Sequence, residues 1–214
     1  MADSLFQQRL RHEVMDRIAG RYAISDEVIL AMKSVPRHLF VSEDQRHAAY
    51  LDEPLPIASG QTISQITTVA LQTGLLKIKK GDKVLEIGAG SGYQTAILCE
   101  LGCRVYSMER HKKLYLTAKE NLSVLGYRNA VLVHGDGFNG LPRWAPFNGI
   151  LITCGAPKIP EELLGELVTG GRMVVPVGEK LQEMVVVEKT SETAYTTTGE
   201  GFFRFVPMLK GTVE

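Results

Sequence analysis

Apolar residues recur at helical spacing through the first third of this chain, then contract into short runs separated by glycine-bearing turns. Between residues 4 and 19, Leu5, Leu10, Val14, Met15 and Ile18 alternate with charged residues, the pattern of an amphipathic helix that Gly20 ends. Ser25 stands where it would cap a second helix running to about Lys33, and Pro36 breaks that pattern. A third short helix is expected from Ser42 to Ala49. Pro54, Pro56 and Gly60 then mark an ordered loop from Leu51 to Gly60. Helical periodicity returns over 64–76 with Ile66, Val69, Ala70, Leu71 and Leu75. Thr62 or Ser64 is placed to cap that helix.

From there the period changes. Strands are expected at 83–87, 104–109, 130–134, 149–153 and 172–177, with helices over 92–101, 111–124 and 161–168 between them. Strands alternating with helices across short loops predict an α/β domain, a doubly wound, mostly parallel sheet covered on both faces. The last segments, Met184–Lys189, Ala194–Thr198 and Phe202–Val206, have no helical runs between them. They are expected to pair antiparallel at one edge of the sheet.

The chemistry sits at the turn after the first strand. Val84-Leu85-Glu86-Ile87 runs into Gly88-Ala89-Gly90-Ser91-Gly92-Tyr93. An acid, Glu109, closes the next strand twenty-one residues after Gly88. In an open α/β sheet, such glycines let backbone approach a nucleoside-bearing cofactor, and the carboxylate accepts the ribose hydroxyls. A dinucleotide site would want glycine at position 93, where this chain has tyrosine, and Glu86 is a poor neighbour for a diphosphate. No Gly-Lys-Ser/Thr follows, which excludes a P-loop. The local pattern therefore favours a sulfonium methyl donor, S-adenosylmethionine, over NAD. Helix-start N–H groups would meet its carboxylate. His134-Gly135-Asp136-Gly137 ends the third strand on the same edge, where Asp136 is either an acceptor for the adenine amino group or an Asp-Gly turn residue.

Bulk composition narrows the reading further. The chain has 214 residues, of which 44% are apolar, enough for one domain with a full core. It divides into an N-terminal helical and site-covering region (1–80), a cofactor-binding α/β core (81–178) and C-terminal strands (179–214). Twenty-four basic residues balance 24 acidic ones, which argues against a nucleic-acid partner. Lys77, Lys79, Lys80 and Lys83 read as a solvated turn. Cys99, Cys103 and Cys154 show no zinc spacing and no disulfide arithmetic, so no metal is expected. No apolar stretch resembles a signal peptide or a membrane span, so a soluble, cytoplasmic protein is expected. The N-terminal helices could cover the sheet or serve a dimer, and a monomer is expected.

Several stretches, in order and over nearly the whole chain, resemble the protein-L-isoaspartate (D-aspartate) O-methyltransferase family. They are Ala49-Tyr50 through Ser64-Gln65, Leu85-Glu86-Ile87-Gly88 through Thr95-Ala96, and His134-Gly135-Asp136-Gly137. Ala145-Pro146-Phe147, Ile159-Pro160 and Arg204-Phe205-Val206-Pro207 complete the set. Gly60-Gln61-Thr62-Ile63-Ser64 is the specific part, since many methyltransferases share the glycine loop. The resemblance implies a class I S-adenosylmethionine-dependent methyltransferase fold with S-adenosyl-L-homocysteine as product. It implies methylation of the free α-carboxylate of L-isoaspartyl residues, and more weakly of D-aspartyl residues, in damaged proteins and peptides. It makes Ser64 the active-site residue. It puts Thr62, Ile63, Gly88, Glu109, Asp136 and Gly137 on cofactor positions, and the loop pattern adds Glu86, Gly90 and Gly92 to the cofactor set. Pro56, Ile57, Arg204 and Val206 join Ser64 on the substrate side.

Three positions depart from the family pattern. Ile66 replaces a frequent proline, Phe147-Asn148 replaces Phe-Asp, and Thr153-Cys154-Gly155 replaces Thr-Ala-Ala. An aspartate at 148 would help hold the loop around the crevice by charge-assisted bonds, so asparagine should alter strength rather than chemistry. Asn139-Gly140 and Asn148-Gly149 are themselves open to succinimide formation, Asn139 more so.

Overall fold

The computed structural model describes residues 3–214. Two helices open it, α1 (Leu5–Ala19) and α2 (Asp26–Ser34). Ser4 and Gln7 form a reciprocal capping box at the start of α1, which satisfies two of its free N–H groups. Its buried stripe, Val14, Met15 and Ile18, packs in one cluster with Val28, Ile29 and Met32 of α2. The expected helix from Ser42 to Ala49 is instead a 3₁₀ segment, Glu43–Ala48. The tighter 3₁₀ turn suits a short connector.

The stretch expected as loop holds a miniature hairpin. β1 (Leu55–Pro56) pairs antiparallel with β2 (Thr62–Ile63), Leu55 facing Ile63. α3 (Ile66–Leu76) follows. Neither Thr62 nor Ser64 caps it. The carboxylate of Asp52, fifteen residues upstream, accepts the Thr67 N–H at 2.8 Å and the Thr67 hydroxyl at 2.6 Å. Arg37, fully buried, holds the same turn from beneath. Its Nε donates to the Ala49 carbonyl (2.9 Å), and its guanidinium carbon lies 5.1 Å from the centre of the Tyr93 ring.

The α/β core runs β3 (Lys83–Ile87), α4 (Tyr93–Glu100), β4 (Arg104–Glu109), α5 (Lys112–Val124), β5 (Ala130–His134), β6 (Phe147–Ile152), α6 (Glu161–Leu164), β7 (Leu167–Val177), β8 (Gln182–Lys189) and β9 (Tyr195–Phe203). The seven-stranded sheet has the order β5-β4-β3-β6-β7-β8-β9. β5 to β7 are parallel, and β8 and β9 add on antiparallel. Alternate strand residues face opposite cores. Val84, Val105, Leu151 and Val174 join Leu76 and Leu98 on one side, and Leu85, Ile150, Met173 and Val187 join Leu163 on the other. Covering on both faces is why the central strands read as near-continuous apolar runs.

The largest boundary differences lie after β6 and at β9. The helix expected over 161–168 stops at Leu164, because Leu167 is already paired with Phe147 on β6. The two last expected strands merge into β9. Its register against β8 slips between Glu183 and Val185, which face Phe202 and Gly199, so β9 carries one extra residue there. Arg204–Val206 has left the sheet. Asn148 lies at the amino end of β6, where its Oδ1 accepts the Lys83 N–H at 2.9 Å. It therefore aligns the start of a neighbouring strand, at the far end from the glycine loop. The expectation of a role at the crevice is corrected on that ground. Asn139 is exposed in a 3₁₀ turn (Gly137–Asn139), whereas Asn148 is held in a strand.

Candidate active site

The chain enters the sheet at its centre on β3, winds outward through β4 and β5, then returns to β6 on the other side. The carboxyl ends of β3 and β6 form the point where the winding reverses, the crevice in which open α/β sheets hold ligands. The glycine loop leaves β3 there, and Thr153-Cys154 leaves β6 opposite it. Gly88 has φ +101°, and a Cβ on it would lie 2.5 Å from the Thr153 hydroxyl. Only glycine lets the two strand ends approach so closely.

A solvent-open cleft of about 970 Å³ fills this crevice. Of the residues expected from sequence, Thr62, Ile63, Ser64, Gly88, Gly90, Glu109, Gly137 and Val206 line it. The Glu109 carboxylate accepts the Gly90 N–H through Oε2 and the His111 N–H through Oε1, both at 2.9 Å. Those two bonds fix its orientation and leave each oxygen a lone pair for a ligand hydroxyl. Arg110 lines the cleft too, its guanidinium donating to the carbonyls of Gly211 (3.1 Å) and Lys210 (3.2 Å). Among the described residues, Arg110, held on those carbonyls, is the one Lys or Arg these walls offer a diphosphate. A nucleoside with a cationic centre fits their apolar and acidic character.

A second, larger open cavity of about 1530 Å³ lies on the other side of the Thr62–Ser64 segment. Thr62, Ser64, Thr153 and Val206 line both. The Ser64 hydroxyl makes no hydrogen bond to the protein among the described residues, so it stands free at the junction. Arg204 lines only the second cavity, beside Phe202, Phe203 and Phe205.

Other expected site residues lie elsewhere. Glu86 is fully buried beneath the loop, where Thr95 (2.5 Å) and Ser107 (2.7 Å) donate hydroxyls to its Oε2. Burial pushes its carboxyl up to about 7, against those two hydrogen bonds and with a further push from Glu109. It supports the loop from below and forms no part of the cleft wall. Gly92 begins α4 against Ala118 and Leu122. The Asp136 carboxylate is absent from the cleft lining and holds backbone instead, accepting Phe138 N–H at 2.9 Å and Gly211 N–H at 2.7 Å. Pro56 and Ile57 line a separate outer groove, though Ile57 also packs over Gly90.

Several cleft residues escaped the sequence reading. Thr153 and Cys154 carried a usable signal, since they follow a strand whose carboxyl end must line the crevice. Burial pushes the Cys154 thiol up to about 12, so it remains a neutral wall rather than a nucleophile. Met208 and Leu209 close the cleft from the C-terminal segment, and no local pattern marks them. That segment is tied down where Lys112 N–H donates to Val213 and Val213 N–H to Arg110, both at 2.8 Å.

A glycine loop at the reversal point of a seven-stranded sheet, with an acid at the end of the next strand, defines a class I methyltransferase fold. Residues 9–213 match the family model described as protein-L-isoaspartate(D-aspartate) O-methyltransferase. Protein-L-isoaspartate O-methyltransferases of Christiangramia forsetii and Flavobacterium psychrophilum are 46% and 45% identical over 210 residues, covering 98% of this chain and 99% of each relative. A solved protein-L-isoaspartate O-methyltransferase superposes with a TM-score of 0.86 at 28% identity, over 95% of this chain and 67% of that one. A Plasmodium falciparum chain, described as a beta-aspartate methyltransferase in complex with S-adenosyl-L-homocysteine, shares the fold at a TM-score of 0.81 and 23% identity. That likeness covers 94% of this chain and 99% of the other. The chain belongs to the protein-L-isoaspartate(D-aspartate) O-methyltransferase family. Among the described residues, no helix is long and apolar enough to cross a membrane, and no three His, Cys, Asp or Glu side chains gather to hold a metal.

Proposed function

We propose that this protein transfers a methyl group from S-adenosylmethionine to the free α-carboxylate of L-isoaspartyl residues, and more weakly D-aspartyl residues, in damaged proteins and peptides. The observation that carries the reading is the unengaged Ser64 hydroxyl at the junction of two cavities. The inner cavity suits the cofactor, and the wider outer one suits the polypeptide around the acceptor. The glycine loop at Gly88 and Gly90, with Thr62, Ile63 and Gly137, would enclose the cofactor, and Glu109 would accept its ribose hydroxyls. Asp136 would act through the backbone it holds. Val206 and Arg204 would border the peptide.

S-adenosylmethionine supplies a methyl group activated by attachment to a sulfonium. The acceptor carboxylate is ionised at neutral pH, so the enzyme needs no general base. Ser64 donates a hydrogen bond that aims one carboxylate oxygen at the methyl carbon. The carbon–sulfur bond of the donor would break as that oxygen attacks, with the bonding pair left on sulfur and no proton moved. The protein contributes placement and exclusion of water. Ser64 has no histidine or acid hydrogen-bonded to it, so a covalent serine intermediate has no support. The next backbone nitrogen then attacks the ester carbonyl, methanol leaves with the proton of that N–H, and the ring closes to a succinimide.

Both cavities draw on residues from the N-terminal region, the α/β core and the C-terminal segment, which supports one functional unit of 214 residues. A monomer acting in the cytoplasm completes the proposal. Methyl transfer to an isoaspartyl peptide and to its aspartyl twin tests the proposal. Transfer to the isoaspartyl form alone is expected, and equal or absent transfer would overturn it. Ser64→Ala should lower that transfer far more than it weakens S-adenosylhomocysteine binding, and equal losses would remove Ser64 from its role.

A further inference from the structure

Thr153 holds a position that the serine mechanism leaves unused. It follows β6 at the reversal point of the sheet and lines both cavities. Its Oγ1 lies 2.6 Å from the Gly88 carbonyl oxygen and 3.0 Å from that of Ile87. Both are acceptors only, and a hydroxyl has a single proton. That proton is therefore committed to the β3 backbone. What the hydroxyl has left is lone-pair density on its oxygen. Ser64 presents the reverse case, a hydroxyl whose proton is free.

We propose that Thr153 is a methyl-positioning catalytic residue: its oxygen accepts C–H hydrogen bonds from the sulfonium methyl while Ser64 donates to the acceptor carboxylate. The assignment rests on the methyltransferase reading above and goes beyond it. Carbon-bound hydrogens beside a positive sulfur are polarised, which strengthens a contact that is otherwise weak. An oxygen whose proton is fixed elsewhere cannot rotate to present that proton to the methyl. The arrangement thus favours the charged, methylated cofactor over the neutral, demethylated product.

Titration calorimetry of the full chain with S-adenosylmethionine and, separately, S-adenosylhomocysteine tests this. Thr153→Val keeps the shape and removes the oxygen. It should weaken S-adenosylmethionine relative to S-adenosylhomocysteine by about fivefold, the scale of one lost weak hydrogen bond to a charged group. Thr153→Ser should restore the native ratio. If Thr153 only clasps Gly88, the valine variant will lose both ligands equally, and the proposal fails while the methyltransferase reading stands. If the native chain binds neither ligand, both fail. Thr153→Ala supplies the same ratio should the valine variant not fold.

Discussion

Glu86 is a carboxyl group in a fully buried site with two hydroxyl donors on one oxygen and none among the described residues on the other. Its pKa rises from the usual 4.5 to about 7, chiefly because burial penalises the charged form. An acid whose folded-state pKa is raised keeps its proton in the native state where the unfolded chain has already released it. Its contribution is thus fully present below pH ~4.5 and is lost as pH rises towards 7. One pKa unit corresponds to about 1.4 kcal/mol, so the loss is on the order of 3 kcal/mol across that window. Glu86→Gln cannot titrate, and it retains a carbonyl for the Thr95 and Ser107 hydroxyls. Its amide still lacks a partner, which gives an offset independent of pH. Urea unfolding followed by circular dichroism at several pH values from 5 to 8 isolates the effect, because every other group titrates in both proteins. The native chain should lose stability relative to Glu86→Gln, mostly between pH 5 and 7, and the difference should level off above 7. A difference that changes by less than about 1 kcal/mol over that range would show that Glu86 ionises near its ordinary value.

Three further outcomes are expected. Asp52→Ala removes the carboxylate that caps α3 through Thr67, and should cost about 1–2 kcal/mol in thermal unfolding. It should also slow methyl transfer, because Ser64 lies just ahead of that helix start. Glu109→Ala releases the Gly90 and His111 amides, and calorimetry should show S-adenosylhomocysteine binding weakened at least about tenfold. Unchanged affinity would refute the ribose-binding role. Gly137→Ala drives a Cβ into the Ile87 side chain and should destabilise the chain by about 1–3 kcal/mol in urea, with no effect expected only if β3 shifts.

Much of the fold was legible in the hydrophobic pattern, because both-face burial leaves continuous apolar runs and amphipathic helices leave a 3.6-residue stripe. The strands at 83–87, 104–109 and 130–134 lie as expected because each is bounded by glycine or charged turns. Boundaries failed where pairing outweighed local preference. The 161–168 helix lost its end to the Leu167–Phe147 pair, and β9 absorbed two expected strands through its extra residue.

The sequence by itself determined the chemistry: three glycines after a strand, an acid twenty-one residues after the first of them, and a Gly-Gln-Thr-Ile-Ser stretch ahead of both. These are local signals, each carried by neighbours along the chain. Only the tertiary structure decided which of those groups face a ligand. Glu86 and Asp136 carry the expected residue type, yet one is sealed beneath the loop and the other lies off the cleft wall, holding the backbone amides of Phe138 and Gly211. Asp52 took the capping role expected of Thr62 or Ser64, and so left the Ser64 hydroxyl free. A side chain's free lone pairs and protons depend on partners brought from 15, 65 or 75 residues away, and no window along the chain contains them.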